Sequence, residues 1–146
     1  MNFRRILIAV DSDPLAVHAA DVGAELARAL QAEMAFVNVV DPSLCYPDPA
    51  DSGVPTNELI ALAKQEAKKL VGEFHQRLTP QSTTLEFLPV GSPATEIVKA
   101  AKEWQADVIV IGSHGRRGLV RTLLGSVAEH VMRHAPCPVL VVRAKE

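Results

Sequence analysis

Short runs of apolar residues, rich in β-branched side chains, recur along the chain. They occupy Ile6 to Val10, Met34 to Val40, Val108 to Ile111 and Val139 to Val142. The runs lack two-residue alternation, which is typical of strands that are buried on both faces. Leu85 and Phe87 instead alternate with Thr84 and Glu86. That alternation predicts a fifth strand at a sheet edge, with one face less buried.

Between these runs, apolar residues recur three and four positions apart, as in amphipathic helices. Four such stretches cover residues 16–30, 59–78, 97–104 and 127–135. Asp13 before Pro14, and Ser92 before Pro93, each match a capping residue followed by proline at the first helical position. The βαβαβαβαβ alternation predicts an α/β fold with a doubly wound, Rossmann-like sheet. We expect five parallel strands in the order 3-2-1-4-5, with helices on both faces.

Composition narrows the class of protein. A chain of 146 residues is expected to form a single domain over residues 1–146, and 48% hydrophobic with 22% charged residues is ordinary for a soluble globular protein. A net charge of -2 argues against a dedicated nucleic-acid binder. The apolar run at residues 6–10 is too short for a membrane span. Cys45 and Cys137 form no CxxC pair or secreted disulfide framework, so we predict a cytoplasmic protein without membrane insertion, although a disulfide stays open.

A glycine spacing follows the apolar run at residues 108–111. Gly112 and Gly115 are separated by two residues, and Gly125-Ser126 follows after nine more, which gives the pattern G-x2-G-x9-G-S. By chance such a pattern would occur in about one per cent of chains of this length. Glycines let backbone amides approach phosphate oxygens, and the start of the last helix adds unpaired N–H donors and a favourable dipole. The spacing therefore predicts a phosphate-binding loop beyond the carboxyl end of a strand.

With these residues the chain resembles the universal stress protein family (UspA-like), in the branch that carries the ATP-binding pattern G-x2-G-x9-G-[S/T]. The similarity covers essentially the whole chain and is densest from Asp107 to Arg143. It implies ATP as ligand, with or without Mg²⁺, and a nucleotide-dependent role in stress response or regulation. The chain has Asp11-Ser12-Asp13 where the family often has Asp-Gly-Ser, and Asn38 where it often has His. We expect the Asn38 change to matter little, because the neighbouring contact is made by backbone.

The resemblance also implies which residues bind ATP. Asp11 and the backbone near Val39 would hold adenine and ribose, and Ala9 would line the pocket. The ribose and phosphates would contact Gly112, Gly115, Gly125, Ser126 and Val127. The predicted site is completed by Ile111, Ser113, His114 and Arg116.

Several loop residues have a second interpretation. His114 is either a phosphate contact or proton carrier, or simply a loop histidine. Arg116, Arg117 and Arg121 could pair with phosphates, although we expect at least two of them to be solvated. For Asp11, ligand contact is favoured over a cap at the strand end.

The histidines at positions 130 and 134 are four residues apart, so they could in principle chelate a metal ion. The C-terminus of the last helix explains cationic histidines there equally well. No metal site is predicted.

No GxxxxGK[ST] motif is present, so the sequence lacks the lysine and hydroxyl of a Walker site. We expect nucleotide binding with slow hydrolysis at most, and no catalytic residue is assigned. Two alternatives stay open. One is a nucleotide-hydrolysing or nucleotide-transferring enzyme of a related α/β fold, although no SGGxDS or HIGH-type signature supports it. The other is an interaction module with an empty pocket.

The final apolar run, Val139, Leu140, Val141 and Val142, falls where a doubly wound sheet has an edge. An exposed apolar edge invites a second strand. We predict a homodimer that pairs this strand with its copy, which is also what the family resemblance implies.

Overall fold

The computed structural model describes residues 2–44, 53, 55–80, 84–114 and 124–144. Strands and helices alternate along these residues. In chain order they are β1 (Arg5–Ala9), α1 (Pro14–Leu30), β2 (Glu33–Val37), a 3-10 turn (Pro42–Leu44), α2 (Thr56–Leu78), β3 (Leu85–Phe87), α3 (Pro93–Trp104), β4 (Val108–Gly112), α4 (Ser126–His134) and β5 (Val139–Val142). No helix among the described residues is long and apolar enough to cross a membrane.

The strands of the described chain form one five-stranded parallel sheet in the order β3-β2-β1-β4-β5. The predicted fold class and strand order are therefore confirmed. Strand β2 ends at Val37 rather than at Val40 as predicted. Strand β1 ends at Ala9, and the backbone bond from Val10 N to Val37 O (3.0 Å) closes its pairing with β2. Beyond it, Asn38 N still donates to Phe87 O (3.0 Å), and Val40 forms an isolated bridge to Val90.

Two apolar layers cover the two faces of the sheet. Helices α1 and α2 pack on one face, where Ile6, Ile8 and Val110 are buried. Helices α3 and α4 pack on the other face, where Leu7 and Ile109 are buried. Neighbouring residues of a strand point to opposite faces of the sheet, and both faces are covered by helices. All residues of a central strand must therefore be apolar. This explains why the central strands show no alternation.

The two predicted helix caps have different outcomes. Asp13 caps α1 as predicted: its carboxylate accepts a 2.8 Å bond from Leu15 N, with Pro14 at the first helical position. Ser92 occupies the cap position of α3, but its side chain makes no capping bond, which corrects the prediction. The Ser92 side chain is exposed, so water can take the place of the helix N–H groups as its partner.

Candidate functional site

Several of the predicted site residues lie where β1 and β4 end side by side. The two strands pair in parallel with Ile8 opposite Val110. The helix after β1 covers one face of the sheet and the helix after β4 covers the other. This is the switch point at which open α/β sheets bind ligands. Asp11, after β1, and Ser113, after β4, therefore lie at the same edge, above Ala9 and Ile111, which are buried.

The turn after β1 is fixed by its own carboxylates. Asp11 Oδ1 accepts a 2.9 Å bond from Asp13 N, and Asp13 in turn caps α1 through Leu15 N. Asp11 stays half-buried at the strand end. Asp13 is thus engaged at the helix start, and its negative charge faces backbone N–H donors.

Asn38 links the ends of β1 and β2. Its side-chain amide donates a 2.7 Å hydrogen bond to the carbonyl oxygen of Val10. Sequence reasoning gave this side chain no role and missed it. The sequence did contain a signal for this bond. Asn38 is an amide donor that directly follows β2, and the neighbouring strand β1 ends at the same level, where backbone carbonyl groups can accept. The bond holds Asp11 and Val39 on adjacent strand ends.

Gly112 and Gly125 are positions of close backbone approach. A Cβ on Gly112 would lie 3.2 Å from Cγ and Cδ2 of Leu15. On Gly125 it would lie 3.1 Å from Ser113 O and from Cα of His114. Gly125 N donates to Ser113 O at 2.6 Å, and Ser113 N donates to Val142 O at 2.8 Å. Gly112 thus lets the end of β4 lie close to Leu15 of α1, and Gly125 lets the two ends of the connection between β4 and α4 meet.

Helix α4 begins without a side-chain cap, because its cap residue is Gly125. The first helical bond runs from Glu129 N to Gly125 O (3.0 Å). The N–H groups of Ser126, Val127 and Ala128 have no acceptor within the described part of the chain. Three donors and the positive end of the helix dipole therefore face the space beyond the helix start.

Two buried polar atoms lie beside this helix start. Ser113 Oγ and His114 Nδ1 are buried, and neither has a hydrogen-bond partner among the residues the structure describes. Ser113 is only 5% exposed. A buried polar group without a partner is costly, so such atoms are uncommon in folded proteins and call for an explanation. A polar ligand at this edge would supply one.

Some predicted positions lie outside the described residues. Gly115 and Arg116 are among them, together with Arg117 and Arg121. Those predictions stay predictions. A separate cleft of about 310 Å³ lies between β3 and α3, and none of the predicted site residues lines it.

The fold and the site define a class of protein: a Rossmann-like α/β protein with a glycine-bounded connection at the switch point of its sheet. The chain belongs to the universal stress protein family, whose model matches residues 2–143. Universal stress protein MJ0531 of Methanocaldococcus jannaschii is 39% identical to it over 142 residues, which cover 97% of this chain and 82% of that protein. The family resemblance drawn from the sequence is confirmed.

Solved structures of universal stress proteins share the fold. UspA from Lactobacillus plantarum superposes with a TM-score of 0.83 at 31% identity, over 98% of this chain and 99% of that one. A universal stress protein from Archaeoglobus fulgidus, solved in complex with dAMP, has a TM-score of 0.65 at 27% identity, over 98% of this chain and 100% of that one. An adenine nucleotide is thus bound by one similar protein.

Proposed function

We propose that this chain binds an adenine nucleotide, ATP in the first place, at the carboxyl ends of β1, β2 and β4, and acts as a nucleotide-dependent regulatory module in stress response. One observation carries the proposal. The N–H groups at the start of α4 and the neighbouring buried hydroxyl of Ser113 have no hydrogen-bond partner among the residues that the structure describes. Both are hydrogen-bond donors suited to phosphate oxygens.

The phosphate half of the proposed site is built from backbone. An anion at the start of α4 would accept from Ser126, Val127 and Ala128 and would be favoured by the helix dipole. The exposed Ser126 hydroxyl adds a side-chain donor. Gly125, which has no Cβ, lets Ser113 and His114 lie directly against the helix start.

The adenosine half is formed by Asp11 and Val39. The N–H groups of Asn38 and Val40 bond towards β3, to Phe87 O and Pro89 O. Because backbone groups alternate in direction along an extended strand, those of Val39 face the opposite side, past the end of β1. There they can pair with an adenine edge, while the Asp11 carboxylate accepts from ribose hydroxyls.

The sequence favours binding of a nucleotide over its rapid hydrolysis. It has no Walker lysine to stabilise a transferring phosphoryl group. The relative solved with dAMP supports the adenine class of ligand. We propose that occupancy of the site, not phosphoryl transfer, is the signal.

Isothermal titration calorimetry of nucleotide-free protein with ATP and Mg²⁺ tests the proposal. We expect saturable binding of one ATP per chain, weaker binding of AMP because it lacks two phosphates, and negligible heat with GTP. Absence of binding at millimolar ATP would contradict the proposal. It would favour the interaction module, in which Gly112 and Gly125 serve only the chain contacts already described.

We also propose that the protein is a homodimer joined through β5. Among the described strands, β5 bonds only to β4, and Leu140 on it is 38% exposed. An apolar strand with one unpaired edge favours pairing with a second copy. Sedimentation velocity over a range of concentrations should show the mass of two chains, and a concentration-independent mass of one chain would refute the dimer.

A further inference from the structure

Helix α4 carries two histidines near its C-terminal end. His130 and His134 are one turn apart and both are exposed. Their ring centroids are 4.2 Å apart, with the ring planes tilted by 31°. Residues at i and i+4 share one helix face, so the two imidazoles stand side by side at the surface.

The tautomer of His134 follows from its contact. Its Nδ1 lies 2.9 Å from the carbonyl oxygen of His130. A carbonyl oxygen only accepts, so Nδ1 carries the hydrogen and donates it. In the neutral ring the lone pair is then on Nε2. Metal-binding histidines characteristically donate their other N–H to a carbonyl or carboxylate, which fixes the ring for coordination.

The helix dipole alone does not account for the pair. Cations are favoured at a helix C-terminus, and Arg133 already supplies one in the last turn, paired at 2.9 Å with Glu129. Two imidazolium rings 4.2 Å apart would repel each other. A neutral pair with both lone pairs turned to one cation has no such cost.

We propose that His130 and His134 form a bidentate surface site for a divalent transition-metal ion such as Zn²⁺ or Ni²⁺. Metal–imidazole bonds are about 2.0 to 2.1 Å, so two nitrogens on one tetrahedral ion lie about 3.4 Å apart. Two exposed imidazoles at i and i+4, with ring centroids 4.2 Å apart, can bring one nitrogen each to that separation by rotating about their side-chain bonds. Imidazole suits Zn²⁺, Ni²⁺ and Cu²⁺, whereas Mg²⁺ prefers oxygen ligands. No cluster of three or more metal-ligating side chains occurs in the described chain, so water completes the coordination. The site lies at the opposite end of α4 from Ser126 and does not depend on nucleotide binding.

Zn²⁺ titration of the untagged protein in nucleotide-free buffer tests the site, with His130→Gln, His134→Gln and the double variant. Glutamine is a good helix former, so circular dichroism should show unchanged helicity. We expect one Zn²⁺ per chain in the wild type and a Kd raised more than about tenfold by either change, since loss of even a supporting partner has that effect. His18→Gln, on α1, is the matched control and should bind as the wild type. Mg²⁺ should give no heat.

Binding of paramagnetic Co²⁺ shows where on the protein the metal ion lies. Its paramagnetic shifts of backbone amides should be largest around residues 127–134 in the wild type and should vanish in the double variant. Wild-type Zn²⁺ affinity in the double variant, or shifts centred on another part of the chain, would overturn the proposal. Equal weakening by His18→Gln would do so as well.

Discussion

The side-chain amide of Asn38 donates a 2.7 Å hydrogen bond to the backbone carbonyl oxygen of Val10. In the other direction, Val10 N donates to Val37 O at 3.0 Å. The two bonds tie β1 to β2 immediately before Asp11 and Val39. The adenosine half of the proposed site therefore depends on the Asn38 side chain, which holds the two strand ends together.

Removing the donor of Asn38 should destabilise the protein. Asn38→Ala leaves Val10 O without its side-chain partner, and we expect the free energy of unfolding to fall by about 1 to 2 kcal/mol. Asn38→Asp keeps the shape but sets a carboxylate oxygen against the carbonyl, so the loss should be larger. Urea unfolding measures both. Asn57→Asp is the control, because Asn57 Oδ1 accepts from Glu58 N (3.0 Å) at the start of α2, a role that aspartate can keep. Equal stability of the Asn38→Asp variant and the wild type would contradict the role of the bond.

Proline at position 126 should remove one phosphate donor without harming α4. Ser126 is the first helical residue, where proline is favoured, and Gly125 has φ -65° and ψ 152°, which suit a residue before proline. Ser126→Ala removes the hydroxyl alone, and Ser126→Pro removes the hydroxyl and the N–H. Hydrogen bonds to charged groups contribute about 1.5 to 3 kcal/mol, so the proline variant should bind ATP roughly tenfold to a hundredfold more weakly than the alanine variant.

A control for the two Ser126 variants is a serine outside the proposed nucleotide site. Ser92→Ala serves, since Ser92 opens α3 and its side chain makes no capping bond. Calorimetry with ATP should give this variant wild-type affinity. If Ser126→Pro bound ATP as tightly as Ser126→Ala, the N–H of this residue would have no part in phosphate binding.

A charge on β5 should separate the proposed dimer. In a pair of β5 strands, lysines at position 140 of both copies would come close to each other, and like charges across strands are destabilising. Leu140→Lys should therefore shift the sedimenting species towards one chain. Leu62→Lys makes the same change at a leucine that is 56% exposed on α2, and its dimer should persist. Identical behaviour of the two variants would place the interface away from β5.

The sequence predicted the sheet well because burial on both faces requires uninterrupted apolar strands, as in Leu7 and Ile8. It predicted the position of Asp11 and Gly112 for the same reason, since strand order determines which ends meet. It could not predict that Ser92 would leave its helix uncapped, or that Asn38 would link two strands. Both outcomes depend on side-chain direction and solvent access, which periodicity does not encode.

Two helical glycines should respond to alanine in opposite directions. A Cβ on Gly72 would meet nothing within 4 Å, so Gly72→Ala should stabilise the protein by about 0.5 to 1 kcal/mol through helix propensity. A Cβ on Gly23 would lie 2.6 and 2.8 Å from Cδ1 and Cγ1 of the fully buried Ile8. There the crowding should exceed the gain in propensity, because overpacking costs about 1 to 3 kcal/mol. Thermal melting of both variants checks this, and stabilisation by Gly23→Ala would show that α1 can shift away from β1.

The thiol of Cys137 should be slow to react. Burial raises the pKa of Cys137, and the negative charge of Asp107 raises it further. Because thiolate is the reactive form, alkylation by iodoacetamide should be slow near neutral pH and should reach its midpoint above the usual value of about 8.5. A Cys45→Ser background leaves Cys137 as the single thiol, and the same chain in urea supplies the unperturbed profile.

Because the pKa of Cys137 is raised in the folded state, ionisation of this thiol also makes the stability of the protein depend on pH. The folded protein holds the proton more tightly than the unfolded chain, so this contribution to stability is fully present below the unfolded pKa. It is lost as the pH rises through the folded pKa. Asp107→Asn removes the nearby charge, so it should lower the pH at the midpoint of alkylation. It should also narrow the pH range between the unfolded and the folded pKa of Cys137, over which this stability is lost. Coincident alkylation profiles for the folded and the urea-unfolded chain would show that neither burial nor Asp107 perturbs the thiol.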